Sequence, residues 1–340
     1  MRRMQWFFLL AALSAPLLAF EAAAQTKIRF TLDWVFEGQT SFMHMANYKG
    51  WFKEEGLEVQ VDVGTGSAGA FQRIMTGVYD AGLGDMSSQI EFLSRNPGPL
   101  QFQSVYVMYD QIPAGFFALR KSGIKSVKDF PGRVFMESPT GFSRRIWPLL
   151  AKAANIDPNS VKWVTASPAL RATMLINGDC EIISGFLSIP IDLEKRGVRP
   201  EDIVTIPVAD YGIHYYGNTL LVSQKLIEGN PKAVASLVKV FNRALKEMIV
   251  NPAESVRYLK QREPLVDDPL EVRRTRMVMP GMLTENAKRS GLGGIDQARL
   301  QKQIEQVTEA YGLSNPPTQE RLFNPKFLPP QSERMLLPGN

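Results

Sequence analysis

The chain has 340 residues, 39 basic and 34 acidic, for a net charge of +5 at neutral pH; this mild, interspersed excess favours solubility and contains no basic run of the kind that grips nucleic acid. A chain of this length usually divides into two hydrophobic cores. Its single cysteine, Cys180, excludes an internal disulfide, and with His44 and His214 as the only histidines almost nothing is left for a Cys/His metal site, although composition leaves an all-carboxylate site open.

The opening stretch, MRRMQWFFLLAALSAPLLAFEAAAQ, carries Arg2 and Arg3, an apolar run from Trp6 to Leu13, and small residues ending at Ala24. That is the layout of a secretory leader cleaved near Ala24. Pro16 and Glu21 interrupt the apolar core, which falls short of the roughly 20 residues a spanning helix needs. No cysteine at the cleavage point offers a lipid anchor, so export without membrane attachment is expected.

Beyond the leader, strand-like and helix-like patterns alternate, the mark of an α/β architecture. KIRFTLDW alternates in period two and ends on Asp33 and Trp34, with Glu37 close behind. An indole in such a loop is either a half-buried core residue or a platform for a flat ligand whose N–H donors Asp33 and Glu37 accept. Phe42, Met45, Ala46 and Phe52 mark one face of a helix ending near Gly56. LEVQVDV is a second strand, and the turn at Thr65, Gly66 and Ser67 opens a helix faced by Phe71, Ile74 and Met75. A third short strand ends at Asp85, where Ser87 or Ser88 opens the next helix. Turns of this kind gather at the carboxyl ends of parallel strands, where open α/β sheets bind ligands.

After QFQSVYVMYD and GFFALRKSGI a second unit begins. A strand leads to a turn holding Thr140, Gly141 and Ser143, then to a helix faced by Ile146, Leu149, Leu150 and Ala153. Cys180 falls on a buried strand ending at Gly185 and Phe186, and so reads as core in preference to nucleophile. The turn hydroxyls are either helix caps or, with free backbone N–H groups beside them, a grip for an anionic or carbonyl oxygen. Arg144 and Arg145 either pair with an acidic ligand or are solvated. Tyr215, Tyr216 and Asn218 lie where the chain crosses back, as hinge packing or as an aromatic wall opposite Trp34. NTLLVS is a strand, Pro231 to Tyr311 is mostly helical, and the Pro-rich tail from Asn315 wraps the surface. There is no repeat and no flexible linker, so crossings near residues 112–118 and 208–217 must be short and ordered. Two lobes with a cleft between them, hinged for closure, are the expected result.

In that order and spacing, LDW, KGWFKEEGLEVQV, SVKDFPGRVFMESP and YGIHYYGNTLLVSQKLIEGNP resemble the family of periplasmic substrate-binding proteins related to the thiamine-precursor synthase of fungi. That group includes binding proteins for sulfonates, nitrate, riboflavin and pyrimidine precursors. The likeness runs from about Lys27 to Leu259. It implies a two-lobed type II periplasmic-binding fold that delivers its ligand to an ABC importer. The expected division is a signal peptide over 1–24, a first lobe from 25–116 and 216–340, and a second lobe over 117–215. Some family features are missing. Pyrimidine-binding members follow LDW with an Asn-rich loop ending in His, whereas this chain has VFEGQT. The cysteine cluster of the fungal synthases is absent, and Cys180 has no neighbouring histidine of the kind that would activate a nucleophile.

The resulting expectation is binding without catalysis. A periplasmic monomer would take a small pyrimidine-like, other heteroaromatic or anionic compound into the cleft, close, and present it to a membrane permease, with no cofactor, metal or nucleic acid. The expected ligand residues are Asp33, Trp34, Glu37, Thr65, Gly66, Ser67, Ser87, Ser88, Thr140, Gly141, Ser143, Phe186, Tyr215, Tyr216 and Asn218. Two alternatives stay open: an exported enzyme of the same fold acting on a small heteroaromatic or sulfur compound, and a sensor subunit presenting ligand to a membrane receptor.

Overall fold

The computed structural model describes residues 25–137 and 142–336. The expected leader, together with Thr140 and Gly141, lies outside the described residues. In chain order the strands are β1 (Thr26–Thr31), β2 (Leu57–Asp62), β3 (Ala81–Asp85), β4 (Phe102–Val107), β5 (Ala114–Leu119), β6 (Val134–Glu137), β7 (Lys162–Thr165), β8 (Ile183–Phe186), β9 (Ile203–Pro207) and β10 (Asn218–Ser223). The first lobe holds a sheet of order β2-β1-β3-β10-β4, in which β1 runs parallel to β2 and β3 while β10 is antiparallel to both its neighbours. In the second lobe, β5 pairs antiparallel with β8 and β9, and the parallel pair β6/β7 reaches β8 through a bridge between Phe135 and Ile182. Position in the sheet is legible in burial. Edge strand β2 alternates, with Leu57, Val59 and Val61 inside, while β4 and β10 are buried along their whole length.

The helices are α1 (Ser41–Tyr48), α2 (Trp51–Glu54), α3 (Ser67–Met75), α4 (Met86–Arg95), α5 (Phe142–Ala153), α6 (Arg171–Asn177), α7 (Ile189–Glu194), α8 (Gln224–Gly229), α9 (Pro231–Val250), α10 (Pro252–Arg262), α11 (Asp268–Val278), α12 (Glu285–Ser290) and α13 (Gln297–Tyr311). The helix expected from Phe42 to Gly56 is in fact two, because Gly50 takes a left-handed conformation (φ +76°) between α1 and α2. Its four apolar markers are all buried. Helix α4 is opened by Asp85 and not by Ser87 or Ser88; the Asp85 carboxylate accepts the Ser88 N–H at 2.8 Å, the N3 donor that a capping side chain reaches. Asn230 and Asn251 cap α9 and α10 in the same way, each followed by a proline at the first helical position.

Several cores result. In the first lobe α9 turns Val234, Leu237, Phe241, Leu245 and Met248 onto the sheet, and in the second Phe117, Met136, Leu175 and Cys180 pack together. Another core straddles the lobes, joining Ile90 of α4, Phe116 of β5, Trp147 of α5 and Leu300 of α13. Cys180 lies just ahead of β8 and is 1% exposed, which places it in the core. The chain crosses between lobes at 108–113 and 208–217. These passages bind each other, with Ile112 N–H donating to Tyr215 O and the Gln111 amide to Ile213 O. Strand β5 runs through the expected boundary at 116/117, so strand continuity sets the first crossing a few residues earlier. Tail residue Phe323 bridges to Ser104 and covers the β4 edge. Among the described residues no helix is long and apolar enough to cross a membrane.

Gly64 follows β2 and passes close to the end of β1, where a β-carbon would collide with the Leu32 carbonyl. Gly64→Ala should therefore destabilise the fold by about 1–3 kcal/mol, as overpacked sites do. Gly98→Ala, surrounded by open space, should leave stability unchanged. Thermal unfolding of the two variants side by side checks the difference.

Candidate functional site

Strand β1 delivers Asp33 and Trp34 to the mouth of a cleft of about 720 Å³ between the lobes. Two backbone bonds fix the neighbouring loop there: Gly64 N–H donates to Trp34 O at 2.9 Å and Gly66 N–H to Asp33 O at 2.6 Å. The Asp33 carboxylate is held from two sides. Its Oδ2 accepts from Asn218 Nδ2 at 2.8 Å and from Ser67 Oγ at 3.2 Å, and among the described residues Oδ1 has no side-chain partner. Ser67 in turn accepts the Asp85 N–H at 3.0 Å. Ser67 is thus a bridge between strand ends and not the cap of its own helix, for which it makes no capping bond. The polar floor so formed draws on β1, α3, β3 and β10.

Asp33, Trp34, Glu37, Thr65, Gly66, Ser67, Phe186 and Asn218 all line this cleft. Trp34 is 38% exposed, so its indole is a rim surface and not core. The aromatic wall is Tyr109 with Phe186, set edge to face with ring centroids 5.6 Å apart. Tyr109 is buried and, among the described residues, its hydroxyl has no hydrogen-bond partner. It was not singled out from sequence, because an aromatic at the end of the buried run QFQSVYVMYD reads as more core.

The other expected residues face elsewhere. Tyr215 and Tyr216 do not form a wall opposite Trp34; both are buried in the core beneath α13, where Tyr216 takes the Asp296 N–H on its hydroxyl and lies under the Arg299 guanidinium. Ser87 is turned to α13 and accepts from Gln303 Nε2 at 3.0 Å, and Ser88 serves the Asp85 cap through its N–H. Ser143 is fully buried against Glu137, to which both its N–H and its hydroxyl donate. Each of these serines lies in the first turn of a helix, and its polar atoms are spent on the helix end or on a neighbouring element.

A cluster of charges closes one side of the cleft. Arg274 of α11, 4% exposed, reaches Glu271 at 3.1 Å on its own helix, Glu37 at 3.6 Å, and Asp192 of α7 at 3.0 Å across in the second lobe. Arg273 pairs with Glu194 beside it. Gln39 donates to Glu37 at 2.6 Å, and Gly38 N–H to Glu271 at 2.8 Å. Of these, only Glu37 was expected. Arg274 and Asp192 sit in charged helical stretches that look solvated when read alone.

Burial sets the acid–base character of the site. It raises Asp33 above the usual carboxylate range, against the lowering effect of Asn218 and Ser67. Asp85 is pushed up to about 6, by burial first, with the Ser88 cap opposing and the Asp33 charge adding. Burial raises Glu37 too, offset in part by Arg274. For Arg274, burial works against the charge, yet Glu37, Glu271 and Asp192 together outweigh it and hold the guanidinium firmly protonated. The Cys180 thiol is raised by burial to about 12, far from the thiolate a nucleophile needs.

The sequence model of the family described as NMT1/THI5 like matches residues 38–255. A 4-amino-5-hydroxymethyl-2-methylpyrimidine phosphate synthase from Legionella pneumophila is 21% identical over 251 residues, 73% of this chain and 78% of that one. The structure is similar to the periplasmic aliphatic sulphonate binding protein of Escherichia coli, with TM-score 0.68 and 14% identity over 92% of this chain and 97% of that one. It is also similar to the periplasmic nitrate-binding protein of Synechocystis, with TM-score 0.61 and 14% identity over 89% and 87% of the two chains. These likenesses show a periplasmic-binding-protein fold, of the kind found in ABC importers.

The raised Asp85 carries a pH signature. Its protonation contributes stability in full below pH 3.8, and that contribution is lost as the pH rises through about 6. Asp85→Asn keeps a capping acceptor but removes the charge. Its melting temperature relative to wild type should therefore be higher at about pH 7.5 than at about pH 4.5. Melting curves at the two pH values check the sign.

Proposed function

This chain belongs to the NMT1/THI5-like family, and we propose that it is the solute-binding component of an ABC importer, exported to the periplasm by the leader at 1–24 and acting without catalysis. The observation that carries this is the cleft itself. A rim indole at Trp34, an inner aromatic wall at Tyr109 and Phe186, and a carboxylate at Asp33 with one oxygen to spare make a slot for a flat ring bearing N–H donors. The unpaired Tyr109 hydroxyl adds one more polar contact. Ligand entry would draw the lobes together, and the closed form would be what a membrane permease recognises.

The Legionella synthase keeps an enzymatic reading in view, but the nucleophile such a reading would take from this chain, Cys180, is in the second-lobe core. Binding is the reading the geometry supports.

Mass spectrometry of the small molecule that co-purifies with the mature protein identifies the ligand, and titration of that molecule tests the site. Trp34→Ala should weaken binding about tenfold or more, since a stacking contact is worth about 0.5–1.5 kcal/mol beyond its buried area and about 1.4 kcal/mol is a decade of affinity. The ligand-free melting temperature should hardly move, because Trp34 is at the rim. Asp33→Asn, which turns an acceptor into a partial donor, should also weaken binding. Unchanged affinity in both variants would remove the cleft floor from the site, and recovery of a chemically altered ligand after incubation would favour the enzyme.

A further inference from the structure

Most of the polar contacts invoked so far lie on the first-lobe side of the cleft, yet one charged side chain on the second-lobe side has, among the described residues, no ion pair. Arg171 begins α6 and lines the cleft. Its Nη1 donates to Ser184 O at 2.9 Å, and among the described residues it has no other hydrogen bond and no ion pair. The acids within electrostatic range are committed elsewhere: Asp192 to Arg274, Glu137 to Ser143 and Ser184, Glu37 to Gln39 and Arg274. The Ser184 carbonyl fixes one end of the guanidinium and Gly185 leaves room for it, since a β-carbon there would stand 2.8 Å from Arg171 Nη1. Ser188, 3% exposed, and Arg196 line the same side. A half-buried guanidinium whose nearby acids are engaged elsewhere keeps donors free for a ligand, and its planar fork suits a carboxylate, sulfonate or phosphate.

We propose that Arg171 anchors an anionic group of the ligand, so that the solute is dipolar: a flat N–H-bearing head over Asp33 and Trp34, and an oxyanion toward the second lobe. This rests on the cleft being the ligand site. It narrows the solute class, because a neutral ring would leave Arg171 unpaired and a bare inorganic anion would leave the aromatic wall unused. It also gives the second lobe a direct hold on the ligand, which is what links binding to closure.

The test uses two separable probes on the mature protein. In the first arm, side-chain Nε–Hε resonances of 15N-arginine protein are followed while methanesulfonate is added, with Arg171 assigned by its loss in Arg171→Lys. A saturable shift of the Arg171 signal is expected; a signal that stays still or drifts without saturating, as exposed arginines do, overturns the anion subsite. In the second arm, binding of 4-aminopyrimidine and of 4-aminopyrimidine-5-carboxylate is compared by calorimetry and by the Trp34 share of the fluorescence, taken as the difference between wild type and Trp34→Ala because the chain holds other tryptophans. The carboxylate should bind about tenfold or more tightly than its parent, the scale of a charge-assisted hydrogen bond, and Arg171→Gln should abolish that advantage while sparing the parent. An equal or reversed preference in wild type overturns the dipolar assignment. A saturable Arg171 shift with no response of Trp34 to either ring leaves the anion anchor standing and removes the ring-binding half of the proposed function. Ring binding with a silent Arg171 does the reverse.

Discussion

The two lobes meet around one buried cation. Arg274 is withdrawn from water and would be expensive there alone, but three carboxylates from two lobes surround it. Glu37 comes from the loop that carries Asp33 and Trp34, and Glu271 from the same helix as Arg274. Asp192 comes from α7, beyond the cleft. The arrangement of the lobes and the placing of the ligand loop are therefore not independent. A shift of α7 that withdraws Asp192 changes the field felt by Glu37, and through it the polarity of the cleft wall. Buried ion clusters of this kind add little to net stability compared with an apolar replacement, but they tolerate few geometries. Here the specified quantity is the relation between lobes.

The polar floor works by a different economy. Asp33, Ser67, Asp85 and Asn218 come from four separate elements, and each spends its hydrogen bonds on holding another. Two neighbouring carboxylates in a half-closed site would repel if both were ionised, and burial has moved both toward the neutral form. Asp33 can then either accept from a ligand or, when protonated, donate to it. The aromatic wall has no such flexibility and sets the shape of what enters.

Much of the fold, and eight of the 24 residues that line the candidate cleft, were legible in the sequence. Asp33, Thr65, Ser67 and Asn218 sit at the ends of strands whose period-two patterning is clear, and strand ends in such sheets converge on one edge. Helix-borne charges gave no comparable signal. Arg274 and Asp192 meet over 82 positions of sequence, and within EVRRTR nothing distinguishes the arginine that turns inward from those that do not. Arg171 likewise follows an unremarkable turn. The adjacent tyrosines 215 and 216 misled because an aromatic pair just before a strand is equally consistent with a cleft wall and with a core, and only the position of α13 decides which. The serines at 87, 88 and 143 had the composition of ligand turns, but hydroxyls at helix starts are consumed locally more often than they are offered.

The sheet order has a consequence for assembly. Strand β10 lies between β3 and β4, yet in the chain it follows both, after the whole second lobe. As the polypeptide emerges, the first sheet therefore keeps an open slot while about 110 further residues, those between β4 and β10, are still to come. The strand that fills it also brings Asn218, the residue that clamps Asp33. The floor of the cleft is thus completed only after the second lobe has been made, and a chain stalled before residue 218 would expose two strand edges and lack the Asp33 clamp. Closing the first sheet and completing the cleft floor are, in this topology, the same event.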